Sequence, residues 1–201
     1  MLTSEMWSVF IVFAIVTIVT PGPNNAMVVT SGMNFGVHRT IPHILGISLG
    51  FPLMIIVVGM GLNTVFSAYP VLYQIVRYLG AIYLLYLAWN IARLRSISDN
   101  KAESNKPLSF LSAAVFQWVN PKGWMMAITA VSTYAARDHY FANVFIIAFV
   151  FGLLLIPNCS LWAIFGNSLR RWLTNPQRLR LFNITMAALL VASLYPLIKT
   201  S

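Results

Sequence analysis

Acidic side chains are scarce in this 201-residue sequence, which contains only four, and charged residues of both signs make up 8% of it. Soluble domains average about 25% charged residues, so the composition disfavours a soluble fold. The four acids lie at an end of the sequence or between apolar stretches: Glu5, Asp99, Glu103 and Asp138. No carboxylate lies within an apolar stretch, which argues against a carboxylate-lined path for cations.

Cysteine is equally rare, because the sequence has only Cys159. One cysteine permits no internal disulfide, no CxxC redox pair and no cysteine-rich zinc site. The sequence also lacks a nucleotide-binding loop, a cluster of metal-ligating residues and a nucleophile elbow. We therefore expect no enzyme active site, no metal and no cofactor.

Apolar stretches dominate what is present, since 59% of the residues are hydrophobic. A membrane-spanning helix needs roughly 20 mainly apolar residues. Stretches of this kind occur at 6–30, 40–66, 70–93, 109–135, 141–166 and 181–198. The first is not expected to be a removable signal, because Glu5 rather than a basic residue precedes it and Pro21-Gly22-Pro23 replaces a cleavage site. The sequence predicts an all-α integral membrane protein with six transmembrane helices.

The basic residues predict the orientation of these helices. The net charge is +9, but the positive residues sit in short loops rather than on one phosphate-binding face, so we expect no nucleic-acid partner. Most fall in the first, third and fifth loops: Arg39, Arg93, Arg95, Lys101, Lys106, Arg170, Arg171, Arg178 and Arg180. The opposite side carries Arg77, Arg137 and Lys199. The positive-inside rule then places the odd loops in the cytoplasm and both termini in the periplasm.

The polar segment 96–108 divides the sequence into halves, residues 1–95 and 109–201, and is expected to be a cytoplasmic linker. Each half begins with an interrupted span, by Pro21-Gly22-Pro23 in the first and by Pro121-Lys122-Gly123 in the fourth. With three spans in each half, the second half must enter the membrane in the opposite sense. The pattern predicts two inverted three-helix repeats with broken first and fourth helices, an arrangement common among secondary transporters.

The two interruptions also predict a binding site. Proline removes a backbone donor and clashes with the preceding turn, and in hydrocarbon the freed groups must find partners or line a wet cavity. Half-helices restarting after Pro23 and Pro121 would present amides suited to a carboxylate. The predicted substrate-binding residues are Pro21, Gly22, Pro23, Asn24, Asn25, Gln117, Asn120, Pro121, Lys122 and Asn158. The alternative is that each interruption is only a packed kink.

Lys122 is the most informative of these residues, because a charge at the middle of a span costs about 2.5–3.5 kcal/mol on insertion scales. One interpretation is a counter-charge for a substrate carboxylate. The alternatives are a lysine that snorkels, or one that donates to carbonyls freed by Pro121. The amides of Gln117, Asn120 and Asn158 could equally bond a neighbouring helix, and Pro157 suggests a further break in the fifth span.

Two other features of the second span have structural interpretations. His38 and His43 lie near its cytoplasmic start, where interfacial or helix-capping roles are expected. If transport is coupled to protons, the proton carriers left are these histidines, Lys122 or the substrate itself.

Gly46 and Gly50 form a GxxxG motif, which we expect to pack within the bundle rather than at a dimer interface.

Together these motifs resemble the lysine exporter/homoserine-threonine resistance (LysE/RhtB) family. The resemblance begins with Thr20-Pro21-Gly22-Pro23-Asn24-Asn25, followed by Gly36 and then Gly46-x-x-x-Gly50. It continues through Leu79-Gly80-Ala81-Ile82-Tyr83-Leu84 and through the fourth span with Asn120-Pro121-Lys122. It covers essentially the whole chain, and the sequence is most similar to the cysteine/O-acetylserine exporter branch.

The resemblance implies a six-helix exporter of amino acids or close derivatives in the bacterial inner membrane, driven by the proton-motive force without ATP hydrolysis. Expected partners are an amino-acid substrate, protons and the lipid bilayer, and a homodimer is compatible with the sequence. Many relatives carry an acid directly after the Pro-Gly-Pro motif where this chain has Asn24, so the proton-coupling route stays open.

Three other functions fit the sequence less well than export. A membrane-embedded enzyme would need a nucleophile, a metal or a redox pair at depth. A cation or metal exporter or channel of related architecture would want carboxylates or thiolates along its path, whereas Lys122 has the wrong sign. A structural or assembly subunit would not require Lys122 in mid-span.

Overall fold

The computed structural model describes residues 4–62, 68–93, 106–135, 139–170, 172 and 175–192, and these residues form helices with no strand. The helices are α1 (Ser4–Val19), α2 (Pro23–Phe35), α3 (Val37–Val57), α4 (Pro70–Arg93), α5 (Phe110–Phe116), α6 (Pro121–Tyr134), α7 (Tyr140–Leu169) and α8 (Pro176–Ala192). A π-helical turn, Val58–Leu62, extends α3, and a 3-10 turn, Gln117–Val119, extends α5.

Both predicted interruptions are present as helix breaks. α1 ends at Val19, Gly22 is extended, and Pro23 is the first residue of α2, so the pair is bent by 52°. The second break lies at Asn120, whose extended backbone (φ −83°, ψ 110°) separates the 3-10 turn from Pro121 at the start of α6. Proline favours the first position of a helix because its missing N–H would lack a helical partner there.

Within the described residues, two helices are long and apolar enough to cross a membrane alone, Val37–Gly61 and Tyr140–Leu169. The bent pair Met6–Val19 and Pro23–Phe35 forms a third if it is taken as one span. The all-helical class is therefore confirmed, and the two or three apolar spans are consistent with a membrane protein. The count of six spans, the inverted repeat and the division into halves stay predictions.

Several predicted boundaries differ from the observed ones. The last helix begins at Pro176, five residues before the predicted span, because Asn175 Oδ1 accepts from the backbone N–H of Gln177 and caps its first turn. The predicted break near Asn158 is wrong, since α7 runs through Pro157 without interruption. Packing of α7 against α2 and α3 holds the helix across the missing hydrogen bond. The predicted span ends at 63–66 and 193–198, and most of the linker, lie outside the described residues.

Helix α7 contacts α2 through two glycines. A Cβ added to Gly32 would lie 2.2 Å from the carbonyl oxygen of Ala163, and one added to Gly166 would lie 2.1 Å from that of Val29. No side chain fits at such distances, so the two backbones are in direct contact. Small residues allow this approach in membranes, where dispersion contacts rather than the hydrophobic effect drive helix association.

The GxxxG motif of α3 makes an equivalent contact with α5. A Cβ on Gly46 would lie 2.3 Å from the carbonyl oxygen of Phe110, and one on Gly50 would lie 2.6 Å from Cα of Ala114. The prediction that this motif packs within the bundle is confirmed. The remaining large contact joins α4 to α8.

Apolar side chains occupy both the interior and the outer surface. The larger buried cluster joins α1, α3, α6 and α7, and includes Phe10, Phe51 and Phe151. On α7 the large apolar residues Phe145, Phe149 and Leu153 recur every fourth position and remain exposed. Apolar residues on both faces of one helix are typical of contact with lipid, because water would disfavour the outer face.

Candidate functional site

The break between α1 and α2 leaves backbone carbonyls at the end of α1, and an asparagine from α2 returns to bind them. Asn25 Nδ2 donates to the carbonyl oxygens of Ile18 at 3.0 Å and Thr20 at 3.1 Å. Asn158 Nδ2 on α7 donates to the same Ile18 oxygen at 3.3 Å. Both amide side chains are buried, and their bonds satisfy carbonyls that have no helical donor because α1 ends there.

Lys122, on α6, reaches the same helix end. Its Nζ donates to the carbonyl oxygen of Thr20, which Asn25 also binds. The predicted alternative in which Lys122 binds carbonyls freed by Pro121 is therefore wrong, because its acceptor belongs to the other break. The contact places the ammonium between the C-terminal end of α1, which carries partial negative charge, and the start of α2.

The lysine can reach this position because Gly22 has no side chain. A Cβ at Gly22 would lie 2.7 Å from Cδ of Lys122 and 3.2 Å from its Nζ. The aliphatic stem of the lysine therefore lies directly against the backbone of the first break. Gly22 and Lys122, 100 positions apart, are thus in close contact and link the two interruptions.

The second break is capped by its own asparagine. Asn120 Oδ1 accepts from the backbone N–H of Lys122 at 3.1 Å, and the Asn120 carbonyl accepts from the N–H of Trp124 at 3.1 Å. This is an N-cap in the usual sense, and Pro121 occupies the first helical position. The cap fixes the direction in which α6 starts, and hence the position from which Lys122 extends.

The two interrupted spans are also joined by a pair of amides. Asn24 Nδ2 donates to Oε1 of Gln117 at 2.8 Å, and Gln117 Nε2 donates back to Oδ1 of Asn24 at 3.2 Å. Gln117 is completely buried and also donates to the carbonyl of Ala113 at 2.9 Å. The pair therefore uses the polar groups of both side chains in a reciprocal contact between α2 and the 3-10 turn.

A cavity of about 390 Å³ lies between α1 and α6 at this point, and we call it the Lys122 cavity. Its walls come from Phe13, Thr17, Thr20, Pro21, Gly22, Pro23, Pro121, Lys122, Met125, Met126 and Thr129. A smaller space of about 30 Å³ lies behind it, bounded partly by Asn24, Asn25 and Asn120. The volume falls in the range of about 300–1,000 Å³ that is usual for small-molecule sites.

The structure thus brings all ten predicted residues to one place. Eight line these two spaces, Gln117 joins them through Asn24, and Asn158 joins them through the Ile18 carbonyl. Chemically, the site offers an ammonium, amide groups and two helix N-termini, a combination that suits a carboxylate. In this conformation Lys122, Asn25 and Asn120 all bind backbone groups.

The environment of His43 differs from the prediction. His38 is exposed, as expected at an interface, but His43 is only 1% exposed and caps no helix. Neither of its ring nitrogens has a hydrogen-bond partner. A lone histidine in an apolar stretch gives no sequence signal for such an environment, since only the neighbouring helices bury it.

Comparison with known proteins identifies the family of the chain. The family described as LysE type translocator matches residues 15–193 of the chain. The chain belongs to this family. The cysteine/O-acetylserine efflux protein of Escherichia coli O157:H7 is 30% identical over 193 residues, covering 94% of this chain and 96% of that protein. The protein of the same name from Salmonella typhimurium (strain LT2) is 29% identical over 192 residues, with the same coverage. No solved structure matches significantly.

Membership confirms the resemblance derived from the Pro-Gly-Pro and Asn-Pro-Lys motifs. The matched region contains both helix breaks and every residue of the Lys122 cavity except Phe13. The translocator family and the apolar helices identify a membrane transport protein.

Proposed function

We propose that this chain exports a small amino acid or a close derivative across the bacterial inner membrane. The observation that carries the proposal is the contact of the Lys122 ammonium with the end of α1, beside a cavity that two helix N-termini face. A substrate carboxylate would displace the Thr20 carbonyl from Lys122 and gain a charge-assisted bond. The relatives' names, cysteine/O-acetylserine efflux protein, favour a zwitterion of about that size.

The proposal includes the driving force and the mechanism. The proton-motive force drives export, and the two halves of the chain rock about the Lys122 cavity to alternate its access. Contacts of α3 with α7 and of α4 with α8 support the rocking of two related halves, because they pair corresponding helices of the predicted halves. Both termini then lie in the periplasm, as the distribution of basic residues predicts.

A cation or metal exporter fits the chemistry less well. Among the described residues there is no group of three or more His, Cys, Asp and Glu side chains that could hold a metal ion. A fixed ammonium on the path would repel a cation. The position of Lys122 therefore favours an anionic or zwitterionic substrate.

Export from loaded vesicles tests the proposal. Proteoliposomes are loaded with labelled L-cysteine or O-acetyl-L-serine, and efflux is followed with and without a pH gradient. We expect efflux that the gradient accelerates, and its loss in Lys122→Gln and Lys122→Ala. Arg178→Gln, at an exposed position of α8, is the control for loss of one positive charge. Normal efflux by Lys122→Gln would exclude the lysine from the mechanism, and no efflux of any small amino acid would contradict the function.

A further inference from the structure

A second and larger cavity lies between α2, α3, α4 and the start of α5. It measures about 720 Å³, and we call it the His43 cavity. Its polar lining includes Thr30, Ser31, His43, Asn90, Arg93 and Lys106. None of the ten predicted site residues contributes to its walls. Because α4 ends at Arg93 and α5 begins just after Ser109, its mouth lies at the end of the bundle predicted to face the cytoplasm.

His43 is the unusual group in this cavity. It is one of the lining residues and is 1% exposed, and its buried Nδ1 and Nε2 both lack partners. Buried polar atoms are hydrogen-bonded in the great majority of cases, and leaving one unpaired is costly. Two hydroxyls that line the cavity are already engaged, since Ser31 pairs with Thr40 at 2.9 Å and Thr30 binds the Ala26 carbonyl at 2.8 Å. A ligand that gains access to this imidazole would find both of its nitrogens without a hydrogen-bond partner.

The cavity also carries positive charge. Arg93 and Lys106 line it, and no acidic side chain occurs among the described lining residues. The guanidinium of Arg93 lies 4.5 Å from the ring centroid of Trp89. Stacking of this kind fixes the plane of the guanidinium and leaves its edge free for a carboxylate to bind through two parallel hydrogen bonds.

These features match the two charges of a free amino acid. We propose that the His43 cavity is a loading site, in which a zwitterionic amino acid places its carboxylate at Arg93 and Lys106 and its ammonium at the imidazole of His43. A neutral imidazole has one nitrogen that accepts a hydrogen bond, which is what an ammonium requires. The inference rests on the proposed export function, because it assigns the step before the substrate reaches Lys122.

The loading site lies close to the Lys122 cavity. Met27 lines the His43 cavity, and Asn24, one turn earlier on α2, lines the small space behind Lys122. One turn of α2 corresponds to about 5 Å along the helix axis. The Asn24–Gln117 amide pair lies at this level of α2.

Binding to a transport-deficient variant tests the loading site. The full chain carrying Lys122→Gln is placed in nanodiscs, and calorimetry measures its affinity for L-cysteine under reducing conditions. We expect this variant to bind L-cysteine without exporting it. Adding His43→Leu, or Arg93→Gln, should weaken binding about tenfold or more, as expected for loss of one bond to a charged group. Adding the control Arg178→Gln should leave the affinity unchanged.

Two further measurements separate binding from folding. His43→Leu should melt no lower than its parent, because it removes two unpaired buried nitrogens, and His43→Gln should restore part of the binding. Cysteamine, which lacks the carboxylate, and N-acetyl-L-cysteine, which lacks the ammonium, should each bind at least about tenfold more weakly than L-cysteine.

The loading site is refuted if Lys122→Gln binds no L-cysteine although wild-type protein exports it, or if His43→Leu and Arg93→Gln leave the affinity unchanged. Failure of the export function gives a different result, since wild-type protein would then move no amino acid at all.

Discussion

Gly22 and Lys122 occupy adjoining space so closely that a single methyl group on the glycine would lie 2.7 Å from Cδ of the lysine. The sequence around either residue gives no sign of this contact. The pair links the first helix break to the second, and it makes the position of the ammonium depend on the absence of a side chain 100 positions earlier.

Gly22→Ala should therefore displace Lys122 from Thr20. We expect efflux to fall about tenfold or more, because the displaced ammonium no longer bonds the substrate carboxylate. The protein should still fold. Proteoliposome efflux and thermal unfolding measure the two effects. Gly123→Ala is the matched control, because a Cβ there would lie no closer than 3.4 Å to any neighbour. Equal efflux by the two variants would contradict the role given to Gly22.

Gly166→Ala should reduce stability rather than transport alone. The new methyl group would lie 2.1 Å from the Val29 carbonyl oxygen, so α2 and α7 must separate. Overpacking typically costs about 1–3 kcal/mol, and contact with backbone places this case at the upper end. Denaturant unfolding of the purified protein measures the change, with Gly123→Ala again as control. An unchanged unfolding midpoint would show that the helices are not in direct contact.

The Asn24–Gln117 pair should be energetically coupled. Because each amide binds the other, Asn24→Ala and Gln117→Ala should each lower the free energy of unfolding, and the double variant should lose less than their sum. Hydrogen bonds between membrane helices contribute about 1–2 kcal/mol in model peptides, which sets the expected coupling energy. A double-mutant cycle measures it, and Asn24→Ala combined with Asn158→Ala is the control pair. Strict additivity for Asn24 and Gln117 would mean that the pair does not form.

Asn25→Asp should destabilise the first break. The carboxylate is nearly the same shape as the amide but cannot donate to the Ile18 and Thr20 carbonyls. Leaving the buried side chain at position 25 without its partners costs about 1–3 kcal/mol, and repulsion between the carboxylate and the carbonyl oxygens adds to this. Thermal unfolding of Asn25→Asp and Asn25→Ala provides the test. A wild-type melting temperature for Asn25→Asp would rule out this cap.

The sequence predicted the parts of the site that depend on local chemistry. Pro21, Pro23 and Pro121 specify where two helices stop, because proline cannot continue a helix from the preceding turn. The same rule failed at Pro157, where contacts of α7 with α2 and α3 hold the helix together. Local signals thus identify a weak point in a helix, whereas its neighbours decide whether the helix breaks there.

The partners within the site could not be predicted in the same way. Lys122 binds Thr20, and Asn24 binds Gln117, across separations of about a hundred residues that no periodicity reveals. His43 is the extreme case, since its burial and its unpaired nitrogens arise only when the surrounding helices assemble. The structure brings the predicted site residues together, but no sequence pattern predicted the cavity around His43.

The Thr20 carbonyl oxygen has two donors, Lys122 and Asn25. When the lysine turns to another acceptor, the oxygen keeps its asparagine and is not left unpaired. The ammonium can therefore exchange partners at little cost in either direction. We expect such an arrangement to give modest affinity and rapid turnover, because a transporter that binds its substrate tightly releases it slowly on the other side of the membrane.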